Sequence, residues 1–65
     1  MADPDAAALL SIRTALEQTL ERVTAIADAR RADEDDPVVA ELDELERSVL
    51  AAVRRIDRTL RRLDP

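Results

Sequence analysis

The sequence predicts an all-α protein: an antiparallel two-helix hairpin, helical over about 4–31 and 37–63, that dimerises into a four-helix bundle. Three observations predict it. The chain is 46% apolar and 38% charged, yet it has no Gly and no aromatic residue, a composition of helix formers whose only strong breakers are three Pro. Apolar residues recur at spacings of three and four along two stretches of similar length, which is the period of a helix. The dipeptide Asp-Pro stands at 3–4 and again at 36–37, at the head of each stretch.

The first helix starts at Asp3-Pro4. An Asp side chain accepts from early backbone N–H groups, and a Pro in the first turn loses no needed donor. Asp5 adds negative charge at the positive end of the helix dipole. Leu9, Ile12, Leu16, Leu20, Val23 and Ile26 form the stripe. Arg30 and Arg31 close the helix, where cations are favoured.

The break follows at Ala32 to Pro37. Pro37 disfavours helical geometry at Asp36, and Asp33, Glu34, Asp35 and Asp36 are four acids in a row. A calcium loop needs ligands at spaced positions and a Gly turn, and this run has neither. It reads as a solvated turn whose last Asp caps the next helix.

The second helix carries Leu42, Leu45, Val49, Ala52, Ile56 and Leu63. With Leu9, Leu16, Val23 and Arg30 at heptad position a, Asp5, Ile12, Thr19 and Ile26 fall at d. On the second helix Leu42, Val49, Ile56 and Leu63 take a, while Val38, Leu45, Ala52 and Thr59 take d. Folding the chain about Glu34 sets every a opposite a d, with Ile26 facing Leu42, Val23 facing Leu45 and Leu16 facing Ala52. This a/d seam leaves Leu10, Leu20, Ala27, Leu50, Val53 and Leu60 outside. An exposed apolar face marks an interface, and a second copy is its simplest occupant. Arg13 and Glu46 interrupt that face as rim charges, so these eight residues are the expected interface. A helix from a different partner protein would fit the same groove.

Sixty-five residues make one domain, 1–65, near the lower limit for folding without help. The sequence has no Cys and no His, so a disulfide framework and the usual zinc, copper and haem ligands are excluded. No metal or cofactor is expected. Ser11 and Ser48 lack a His or Lys to activate them, and Arg stays protonated. Catalytic activity is therefore not expected. Acids at the amino terminus and the short run Ala6–Leu10 argue against a secretory signal or a membrane span. The expected location is cytoplasmic, with no membrane partner.

The basic residues number ten and all are Arg, which fits either a coding bias or adaptation to high salt. Residues 47–62 hold six Arg against one acid, Asp57, whereas 1–46 hold four against thirteen acids. Arg47, Arg54 and Arg61 share one face of the second helix with Arg58 beside them. Asp43–Arg47 and Asp57–Arg61 would pair along the helix, and that balancing of charge is one reading. The other is an anion site built from these four Arg, since the guanidinium fork suits phosphate and carboxylate. The net charge of −5 opposes nonspecific nucleic-acid binding by the chain as a whole. The leading expectation is a noncatalytic interaction module, an adaptor, regulator or small subunit acting as a homodimeric hairpin. Its alternatives are a nucleic-acid or nucleotide binder using those Arg, and an accessory subunit of a larger enzyme complex.

Overall fold

The computed structural model describes residues 3–63. Helix α1 spans Pro4–Arg30 and helix α2 spans Pro37–Leu63, 27 residues each, packed against each other as a hairpin. The expected domain, 1–65, therefore includes two residues at each end that lie outside the described ones. The first helix ends one residue before the expected boundary, because Arg31 is its C-cap and its N–H donates to the Ala27 carbonyl at 3.0 Å.

Both starts form as the Asp-Pro pairs require. The Asp3 side chain accepts from Asp5 N–H at 2.8 Å, and Asp36 Oδ1 accepts from Val38 N–H at 2.9 Å. The acidic run is a turn with assigned tasks. Asp33 accepts from Asp35 N–H at 3.1 Å, and Asp36 caps α2 while holding Arg30 at 2.8 Å. The last turn of α1 is thus tied directly to the first turn of α2.

The hairpin is a rod of 52 × 15 × 10 Å. Its radius of gyration is 15.2 Å, against about 11 Å for a compact domain of this length. Two helices side by side can close only the strip between them. Val23, Ala27, Val49 and Val53 are the buried core, and each is small.

That core corrects the expected seam. The apolar residues of position a lie inside as expected while Arg30 is exposed, and the partner row is e and not d. On α1 the half-buried or buried residues are Ala6, Leu9, Arg13, Leu16, Leu20, Val23 and Ala27, with Thr24 of the neighbouring row b. On α2 they include Val39, Leu42, Glu46, Val49, Val53, Ile56, Leu60 and Leu63. Aligning these rows antiparallel sets Leu16 level with Val53, Leu20 with Val49, Val23 with Glu46 and Ala27 with Leu42. The expected d residues Ile12, Ile26, Val38 and Leu45 stand 40–50% exposed. Row e of α1 reads Ala6, Arg13, Leu20 and Ala27, and Ala27 is fully buried there, whereas Ile12 and Ile26 of row d stay half exposed.

Candidate interaction surface

Choosing rows a and e for the seam leaves the hairpin with two flanks of opposite chemistry. One carries row b: Leu10, Glu17 and Thr24 on α1 and its C-cap Arg31, with Asp43, Leu50 and Asp57 on α2 and its cap Asp36. It is closed by ion pairs between the helices. Arg13 reaches out of the seam and donates to Asp57 through Nε at 2.7 Å and Nη2 at 3.3 Å, and its Nη1 meets Glu17 at 2.8 Å. Arg31 grips Asp43 end-on, through Nη2 at 2.7 Å and Nη1 at 3.3 Å, and its Nε donates to Asp28 at 3.4 Å. Such two-point contacts orient both planar groups and are stronger than single ones.

These contacts are legible in the titration of the groups. Hydrogen bonds from the Arg13 guanidinium, with its charge, hold the Asp57 carboxyl below the ordinary range. Arg31 does the same to Asp43. Asp36 is lowered first by the Val38 N–H and then by Arg30. In return, Arg13 and Arg31 are raised by their Asp partners.

The other flank carries row d: Ile12, Thr19 and Ile26 on α1, with Val38, Leu45, Ala52 and Thr59 on α2. Row g borders it, adding Ala8, Ala15, Arg22 and Ala29 on α1 and Glu41, Ser48, Arg55 and Arg62 on α2. The hydroxyl groups here are already satisfied. Thr19 donates to the Ala15 carbonyl at 2.9 Å, Thr59 to Arg55 at 2.8 Å and Ser48 to Glu44 at 3.1 Å. A hydroxyl turned back onto its own helix no longer needs water or a partner. Row d is consequently a strip of aliphatic and methyl groups from Ile12 to Ile26 and from Val38 to Thr59, with Asp5 at its outer end and Arg22, Glu41, Arg55 and Arg62 along its border.

The expected interface set divides three ways. Ala27 and Val53 are buried inside the hairpin and Leu20 and Leu60 are half-buried in its seam, so none of these four forms an open face. Arg13 is committed to Asp57 and Glu17 and is not a free rim charge. Glu46 sits in the seam row, with Oε1 buried and without a hydrogen-bond partner. Leu10 and Leu50 are exposed, at 53% and 39%, but they lie on the ion-paired flank. The aliphatic flank is made instead of the residues first assigned to the seam. The signal that separates the two was present in the acids and Arg of row b, which can bridge the helices only if row e is inside.

The four Arg of the candidate anion set lie on the outer side of α2. Arg47 pairs with Glu44 and not with Asp43. Arg54, Arg58 and Arg61 have no ion pair among the described residues, and the expected Asp57–Arg61 pair gives way to Asp57–Arg13. Arg54, Arg55 and Arg58 surround a shallow groove floored by Ala51 and Ala52. Among the described residues no group of acids could hold a metal ion, and no helix is long and apolar enough to cross a membrane. Comparison with protein-family models, with curated proteins and with solved structures finds no match.

Proposed function

We propose that this chain is a noncatalytic interaction module, an adaptor, regulator or small subunit, that works as a homodimer formed through its aliphatic flank. The observation that carries this reading is the open strip of Ile12, Ile26, Val38 and Leu45, each 40–50% exposed beside a core of four small residues. Surface area supports it. The chain exposes 5168 Å², where a compact monomer of its mass exposes about 4,100 Å². The excess, about 1,000 Å², is close to the roughly 800 Å² that each partner buries in a stable complex. Light scattering at micromolar concentration tests the reading. The expected mass is twice 7.2 kDa, and a fully helical monomer would overturn it. Copurification from the native host would reveal a different partner on the same flank, as in an accessory subunit of a larger complex.

A second reading rests on its own observation, the unpaired Arg54 and Arg58 around the Ala51–Ala52 groove. A phosphate-bearing ligand, nucleic acid or nucleotide, suits these guanidinium groups. The same groove is lined by Ser48, Ala52 and Arg55 of the aliphatic flank, so an anion there and a second copy compete for one edge of α2. Retention of a labelled oligonucleotide that falls steeply with added salt would support nucleic-acid binding, and no retention at low salt would end it. A nucleotide ligand is tested separately, by titration with a nucleoside triphosphate.

A further inference from the structure

We infer that the second copy lies antiparallel along the aliphatic flank, its acidic turn over the Arg-rich open end of the first; this rests on the homodimer reading above. Two hairpins can meet through this flank by either of two two-fold axes. An axis along the rod puts turn beside turn. An axis across the rod puts the turn of each copy beside the chain ends of the other.

The charges of the rod choose between them. Residues 22–47, the stretch around the turn, hold nine acids and four Arg, a net −5. The remaining residues hold six acids and six Arg, five of those Arg in 54–62. Turn beside turn would bring two such acidic stretches together within a Debye length, about 8 Å at physiological salt. The crossed arrangement separates them and places each beside Arg54–Arg62 of the other copy.

The border of the flank is self-complementary in the same sense. Row g of α2 reads Glu41, Ser48, Arg55, with an acid and an Arg equally spaced about Ser48. An axis across the rod at Ser48 sets Glu41 of each copy level with Arg55 of the other. The seam register puts that axis near Glu21 on α1. Ile12 then falls beside Ala29 of the second copy, and Ile26 beside its Ala15. A large side chain meets a small one at both places, as interdigitated packing requires. No residue committed to the ion-paired flank takes part.

The chain has no Cys, so a single spin label at Glu34→Cys, on the exposed turn, reports the arrangement. At 1.5 Å per residue the crossed axis puts the two labels about 40 Å apart, and turn beside turn puts them within about 20 Å. A dipolar distance near the longer value is the expected result. A distance near the shorter value overturns the crossed arrangement while leaving the homodimer standing. A monomeric mass with no intermolecular distance overturns the homodimer reading itself. A charge swap gives an independent check. Glu41→Arg should weaken association severalfold, and adding Arg55→Glu should restore it to within about twofold. If the double variant is as weak as the single one, the Glu41–Arg55 contact is wrong.

Discussion

The two flanks of the hairpin are built from the same two helices, yet one is closed and the other open. On the ion-paired flank Arg13 and Arg31 span the seam to Asp57 and Asp43 at 2.7 Å. On the aliphatic flank Ile12, Ile26, Val38 and Leu45 face outward, and even Thr19 and Thr59 have turned their hydroxyl groups inward. Both flanks are exposed, and the ion-paired one also shows Leu10 and Leu50, but the larger set of uncovered aliphatic side chains lies on the other. Charged pairs at a surface are satisfied by each other and by water, whereas an aliphatic strip gains from any partner that covers it. Exposure is therefore a poor guide to an interface until the chemistry of what is exposed is considered.

The largest break in this comparison comes from charging the open flank. Ile26 and Leu45 are 50% and 45% exposed in the hairpin, so acids there should leave the isolated hairpin little changed. In a two-fold dimer each residue occurs twice, and each buried side chain is worth about 1.5–3 kcal/mol. Ile26→Glu combined with Leu45→Glu is expected to raise the dissociation constant at least about a hundredfold. Light scattering would then give the monomer mass; an unchanged mass would move the interface elsewhere.

A smaller effect of opposite sign is expected inside the seam. Glu46 occupies the row shared by Val39, Val53 and Leu60, and its Oε1 is buried without a partner. Leaving such a group unpaired costs about 1–3 kcal/mol. Glu46→Leu should raise the melting temperature, by about 4–8 °C for each kcal/mol recovered. A fall would show that the carboxylate is satisfied in solution.

The smallest effect belongs to the ion-paired flank. Asp36, Asp43 and Asp57 are held below the ordinary carboxylate value when folded. Their contribution is therefore complete above about pH 4 and is lost as pH falls through the lowered folded values. Helicity followed by circular dichroism should show a modest loss of stability confined to that acidic range. Asp57→Asn should lower stability slightly at neutral pH and flatten part of the acid dependence, while the dimer mass persists. Dissociation in that variant would mean that the closed flank also carries the interface.

Much of this architecture was legible residue by residue. Asp3-Pro4 and Asp36-Pro37 start helices, the acid run is the turn, and Leu9, Leu16, Val23, Leu42, Val49 and Ile56 face inward. The error was one of rotation. Rows d and e both border row a, and both contain aliphatic residues, so periodicity alone cannot say which joins it. Leu45 was read as core and Val53 as surface; the structure reverses the two. Arg13 was read as a rim charge, although its spacing to Asp57 across the fold carried the answer.

The sequence by itself determined two helices, their ends, their antiparallel fold and the absence of Cys, His and Lys. Those follow from local chemistry: capping, helix propensity, a fixed period and the inventory of functional groups. Only the tertiary structure decided which side of each helix meets the other. That choice depends on how closely two backbones approach and on which charges can bridge them. It is a property of the pair, and it determines which strip of Ile, Val and Leu is left for a partner.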